Sequence, residues 1–291
     1  MTRERRAVVA LLVGVTLGVA VAAAGSHRGV TVAGWPVFAL CAGLAFAINW
    51  LVFVPSYLRQ TEHFFDLTGS LTYLTLVGTA LVLGGGRDPR TLLVATLVVV
   101  WAGRLGSFLF TRIRHDGRDG RFDEIKPSLP RFLLTWTLQA VWVLITVGPA
   151  LAAMTTRQPR PLDLFAAVGL TVWAIGFTIE VVADRQKRAF RRDPANHGRF
   201  ITTGLWAWSR HPNYFGEITL WTGVALLALP VLGGWQYLTL VSPLFVYMLL
   251  TRLSGIPLLE ARAEERWGGD PEYRAYRDRT PPLFPRPPRA A

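Results

Sequence analysis

Arg210, His211, Asn213, Tyr214 and Glu217 crowd into the stretch WAWSRHPNYFGEITLW, Trp206–Trp221, and apolar sequence follows at once. Pro212 suits the first position of a helix, where a missing N–H costs nothing, and it pushes His211 toward extended geometry. Asn213 and Glu217, four apart, then share a helical face. A helix N-terminus beside an arginine is a place to hold a phosphate or a carboxylate. An interfacial aromatic belt would account for Trp206, Trp208 and Tyr214. It does not account for a glutamate beside an asparagine just inside an apolar run.

A second group lies upstream. Glu180, Asp184, Arg188 and Arg191 are spaced four, four and three, so they share a face if that segment is helical. Ion pairing on a solvated helix end would explain Asp184 and Arg188, but suits Glu180 poorly, because Glu180 follows an apolar run. Ionisable residues at membrane depth are functional candidates by default. Asp66, in HFFDLTGSLTYLTL, and Arg104, in WAGRLGSFLF, meet that description too, and Tyr73 is seven residues from Asp66, near the same face. In the C-terminal segment Glu260 precedes a polar helical run. Tyr273, Tyr276 and Arg277 form an aromatic–basic cluster that could cover a cofactor or rest on lipid headgroups.

The elements that must position these residues are membrane helices. Of 291 residues 51% are hydrophobic and 17% charged, with mean hydropathy +0.33, which is too apolar for an ordinary soluble domain. Eight stretches approach the roughly 20 apolar residues a spanning helix needs: 7–25, 37–58, 67–83, 92–110, 132–153, 164–183, 215–232 and 235–250. Threaded alternately, they leave Arg28, Arg87, Arg90, Arg157 and Arg160 in one set of loops, with Arg104 inside a span. The rest of the 31 Lys and Arg fall on the other side. The positive-inside rule makes that richer side cytoplasmic and puts both termini there. The expected fold is therefore an all-α polytopic bundle of seven or eight transmembrane helices. The formal charge of +12 belongs to its loops and does not indicate nucleic acid.

The charged start MTRERR and the small residues AAAGS fit either a signal peptide or a retained anchor, and the anchor is the preferred reading. Cys41, the single cysteine, sits in an apolar span and can form no internal disulfide. No nucleotide-binding glycine loop, HExxH or GxSxG pattern occurs, and one cysteine with unpaired histidines offers no metal site. The segments are 1–60, N-terminal spans; 61–285, the chemistry-bearing region with cytoplasmic cofactor loops; and 286–291, a Pro-rich disordered tail.

IEVVADRQKRAFRRDP, GLWAWSRHPNYFGEITLW and EYRAYRDRTPPLFP, together with TEHFFDLTGSLTYLT and WAGRLGSFLFTRI, resemble the steroid 5α-reductase superfamily, closest to its bacterial branch of unknown function. The resemblance runs from about Thr61 to Pro285. It implies an inner-membrane enzyme facing the cytoplasm that uses NADPH to reduce a C=C bond conjugated to a carbonyl in a lipid-like substrate, amid membrane lipids. The implied cofactor residues are Arg104, Glu180, Asp184, Arg188, Arg191, Arg210, His211, Asn213, Tyr214, Glu217, Glu260, Tyr273, Tyr276 and Arg277, with Asp66 and Tyr73 as catalytic acids. One position departs: the steroid enzymes typically carry Asn where this chain has Glu180, and a glutamate donates a hydrogen bond only when protonated. Membrane isoprenylcysteine methyltransferases share an RHPxYxG stretch, an acidic residue and a terminal YxxY. Arg210, His211, Pro212, Tyr214, Gly216, Glu260, Tyr273 and Tyr276 match that outline too, so S-adenosylmethionine is the alternative cofactor. A member that keeps the fold without the chemistry is the third reading.

Overall fold

The computed structural model describes residues 2–116 and 122–288. Eight helical stretches within it are long and apolar enough to cross a membrane, so the chain is an all-helical integral membrane protein. Among the described residues the only strands are β1 (Thr31–Val32) and β2 (Trp35–Pro36), an antiparallel pair closed by Ala33 and Gly34, both at positive φ. Two positive-φ residues between two strands make the tight hairpin that a right-handed strand twist favours.

The chain divides into two compact units. The first comprises 1–166 and 224–242. Its centre is α5 (Leu129–Met154), with α1 (Arg3–Ser26), α2 (Val37–Leu58), α3 (Phe65–Gly84) and α4 (Pro89–Asp116) packed around it. Most of α5 is buried, as expected of a helix that is apolar all round. α1 is the opposite case. Ala7, Gly14, Gly18 and Gly25 are its buried residues, while Val8, Val9, Leu12, Val13 and Val19 are exposed and suit a lipid-facing surface. Lipid tails give apolar helices no hydrophobic reason to associate, so close packing at small residues must supply it. A Cβ on Gly18 would strike the ring of Phe46. At one end of this unit Phe53, Phe122, Phe132 and Trp136 form an aromatic cluster, joined by Phe65.

The second unit comprises 167–223 and 243–291. It holds most of α6 (Leu164–Arg192) and α7 (Pro212–Ala228), then α8 (Ser242–Met248), α9 (Ile256–Trp267) and α10 (Pro271–Arg279). α6 and α7 touch backbone to backbone. A Cβ on Gly216 would lie 2.6 Å from the carbonyl oxygen of Gly176 and 2.7 Å from the amide nitrogen of Glu180; one on Gly223 would lie 2.6 Å from the carbonyl of Gly169. Glycine at these positions lets the two helices approach closely.

The eighth span is not the single helix expected over 235–250. It begins as a 3₁₀ segment, Gly234–Val241, continues as α8, and ends in a π turn, Leu249–Leu253, before α9. Pro243 explains the start. It has no N–H to give Thr239, so the α ladder is interrupted there, and Ser242 instead donates its N–H to the Thr239 carbonyl in 3₁₀ fashion.

Candidate functional site

Residues of α6, the 204–211 segment, α7, α9 and α10 build one polar site in the second unit. Its centre is Glu260. Glu260 Oε1 lies 2.7 Å from His211 Nε2, and Oε2 lies 3.1 Å from an Arg210 Nη1. His211 and Arg210 are adjacent in sequence, so one carboxylate holds both side chains. His211 is the residue before α7: its carbonyl accepts the first helical bonds, from the N–H groups of Tyr214 and Phe215. Its own N–H donates to Ser209 Oγ at 3.1 Å. The imidazole stacks on the Tyr214 ring, 5.7 Å between centroids.

The environment decides the charge of His211. Burial holds its proton affinity below the ordinary imidazole value, although Glu260 pulls the other way through its hydrogen bond and charge. A neutral imidazole facing a carboxylate donates from Nε2. Nδ1 is then an acceptor, and it is buried without a hydrogen-bond partner among the described residues. Arg210 is similar: among the described residues Nε and Nη1 are buried without hydrogen-bond partners, the ion pair to Glu260 lying off the hydrogen-bond axis. Buried polar atoms left this way are uncommon and call for an explanation. The site thus holds one acceptor and a cationic donor edge that find no hydrogen-bond partner among the described residues.

The α6 face runs alongside. Glu180 is 3% exposed and pressed against α7 at Gly216, which in sequence directly precedes Glu217 and comes three residues after Asn213. Asp184 is half-buried, and Arg188 and Arg191 are exposed. Carboxylates therefore occupy the inner part of this face and guanidiniums the outer part, in the order expected from their spacing.

The backbone around Arg210 is held by groups that the spacing arguments missed. Trp206 is buried, donates from Nε1 to the Ala183 carbonyl at 3.0 Å, and carries the Lys187 ammonium 4.4 Å from its ring centre. Tyr276 donates its hydroxyl to the Trp206 carbonyl at 2.7 Å. Burial raises the pKa of that phenol, so it stays protonated and able to donate. Tyr273 packs on Phe200, and burial raises its pKa too. Ser209 Oγ donates to the Leu283 carbonyl at 2.8 Å, Arg210 N–H donates to Pro281, and Arg286 N–H to Trp208. The Pro-rich segment is therefore pinned beneath the SRHP stretch as far as Arg286; residues 289–291 lie outside those described. The Pro residues themselves were the available signal, since they favour an extended strand over a frayed helix. Arg277 pairs with Glu264 at the surface.

Asp66, Tyr73 and Arg104 belong to the first unit. Asp66 is half-buried in the first turn of α3. Tyr73 is 5% exposed, its ring edge-on to Trp101 at 5.1 Å. Arg104 is half-buried on α4. Around α3 the structure adds polar residues that hydropathy alone concealed. Glu62 is 5% exposed and pairs with Lys126 at 2.6 Å. Asn49 donates to Thr72 Oγ1 at 3.4 Å, and Gln139 to the Phe65 carbonyl at 2.9 Å. The side-chain oxygens of Asn49 and Gln139 are buried without hydrogen-bond partners among the described residues. Both amides occupy spans that read as purely apolar.

Residues 52–280 match the family described as "Protein of unknown function (DUF1295)", and the chain belongs to that family, which falls within the steroid 5α-reductase-like superfamily. It is similar to the "Uncharacterized protein C594.04c" of Schizosaccharomyces pombe, 24% identical over 227 residues, covering 68% of this chain and 64% of that one. It is also similar to the "Probable O-methyltransferase ustE" of Ustilaginoidea virens, 30% identical over 103 residues, or 35% of this chain and 34% of that protein. The chain thus spans less than two thirds of the length of either relative. No solved structure matches.

Proposed function

We propose that this protein is a membrane reductase that uses NADPH to saturate a C=C bond conjugated to a carbonyl in a lipid-like substrate. The observation that carries the proposal is the half-satisfied Arg210–His211–Glu260 cluster at the start of α7. NADPH is a polyanion with a carboxamide at its reactive end. The donor set fits it: Arg210, with Arg188 and Arg191 on the outer α6 face, would neutralise phosphates by charge-assisted contacts. The orphaned His211 Nδ1 is an acceptor for a carboxamide N–H. Asp184, Asn213 and Glu217 are the further groups that would orient that end.

When bound, the cofactor supplies a hydride to one carbon of the double bond; a proton reaches the other, so the substrate gains two hydrogens. The chain must supply three things. Glu260 keeps Arg210 and His211 in place; with His211 neutral, Nε2 is its donor to Glu260 and Nδ1 its acceptor. The phenol of Tyr276 anchors the Trp206 backbone, and Tyr273 with Phe200 walls the aromatic side. Asp66 and Tyr73, in the first unit, are proposed as the acids that polarise the substrate carbonyl; their assignment rests on their chemistry and the resemblance. The bacterial inner membrane with the α7 N-terminus facing the cytoplasm is the proposed setting, supported by the arginine distribution.

The similarity to a probable O-methyltransferase favours one second reading, a methyltransferase using S-adenosylmethionine. Its carboxylate would also suit Arg210. Purified protein titrated with each cofactor separates the two. The reductase reading expects NADPH to bind and Asn213→Ala or Glu217→Ala to weaken it. Binding of S-adenosylmethionine, with NADPH binding absent or indifferent to both changes, would overturn it.

A further inference from the structure

The side of the membrane poor in basic residues contains a basic cavity. Of the five arginines in those loops, Arg28, Arg157 and Arg160 line a single cavity of about 240 Å³ within the first unit, together with Thr156, Gln158, Gly233 and Gln236. Arg90 is buried behind it, and Arg87 lies outside it. None of the three lining arginines forms an ion pair among the described residues. All three are exposed, and three like charges around one hollow attract an anion to it.

The wall of the cavity is built rather than loose. Buried Arg90 donates to the carbonyls of Arg160, Pro161 and Leu227, at 3.4, 2.7 and 2.7 Å, and pairs with Asp163 at 2.9 Å. It thereby fixes the loop that carries Arg160. Thr156 Oγ1 donates to the Val231 carbonyl at 3.2 Å, and Val30 N–H to the Thr155 carbonyl at 2.8 Å. Gln236, 1% exposed, accepts from Gly233 N–H and donates to the Gly25 carbonyl. Arg157 donates to Thr31 Oγ1 at 3.0 Å. Three separate loops are so held together around one opening.

The surroundings give its depth. Trp35, in β2, and Trp235 and Tyr237, beside the lining residue Gln236 in the 3₁₀ segment, are 66, 64 and 50% exposed, and exposed Trp and Tyr mark the headgroup level of a bilayer. The volume is several times the roughly 30 Å³ of a water molecule, enough for a phosphate with its ester arms. We infer that the arginine-lined cavity at this end of the first unit is a phosphate-binding site, filled by the headgroup of an anionic phospholipid.

The test uses delipidated full-length protein in detergent, with lipid binding followed by native mass spectrometry. Phosphatidylglycerol should bind in preference to phosphatidylcholine. Arg28→Gln, Arg157→Gln and Arg160→Gln should each weaken it about fivefold, and all three together on the order of a hundredfold. Arg87→Gln removes the same charge from the same end outside the cavity and should change nothing. Inorganic phosphate binding with the same arginine dependence, while phosphatidylglycerol is indifferent to these changes, keeps the anion site but overturns the lipid as its occupant. Equal losses in Arg87→Gln and the lining variants, or no loss in any, overturn the site. If the triple variant does not fold, the single variants with matching melting temperatures decide.

Discussion

Arg90 in the first unit and Arg210 in the second are both shielded from water, their side chains 2% and 13% exposed, and they are treated in opposite ways. Arg90 spends its guanidinium on three carbonyls and a carboxylate of its own chain. Among the described residues Arg210 has one carboxylate, shared with His211, and two nitrogens without hydrogen bonds. A buried cation that is fully paired holds a structure together. One whose pairing stops short, beside a histidine with a buried acceptor, is the pattern on which the proposed cofactor site rests. The contrast teaches that burial of a charge does not by itself say what the charge does; its hydrogen-bond partners have to be read beside it.

The comparison breaks most readily at Arg90. Arg90→Ala should cost roughly 3–5 kcal/mol, as expected for removing one partner from a buried charge network. The readout is thermal unfolding in detergent, and the cofactor affinity of the surviving folded protein should match the parent. A smaller effect comes from pH. Burial depresses the pKa of His211, so just below the ordinary value of about 6.5 the unfolded chain binds more protons than the native one. Stability from this group is therefore complete above that pH and declines as pH falls through it, by at most about 1.4 kcal/mol per unit. Unfolding curves between pH 7.5 and 5 should show the decline, and His211→Asn should flatten it. The smallest effect belongs to Arg277. Its pair with Glu264 is exposed on both sides, and Arg277→Ala should shift stability by less than about 1 kcal/mol. A large loss of cofactor affinity there would extend the site beyond Glu260.

Much of this was legible beforehand. The eight spans follow from runs of apolar residues, and the Glu180–Arg191 face follows from helical spacing, because both are properties of one segment. What escaped was pairing between distant segments. Glu260 was a candidate by outline, but nothing local says that it holds Arg210 and His211 at once. Nor does anything local say that the backbones of Gly176 and Gly216 meet. Pro281 and Leu283 accept bonds from Arg210 and Ser209, and carbonyls receiving such bonds leave no trace in side-chain identity. Asn49 and Gln139 were hidden by the apolar residues around them.

The most direct test of the account is the affinity of purified protein for NADPH, followed by cofactor fluorescence, in the parent and in Arg210→Gln. Loss of a charge-assisted contact predicts affinity at least tenfold weaker, with the melting temperature of the unliganded protein little changed. Unchanged affinity in Arg210→Gln would contradict the assignment of this cluster as the cofactor site.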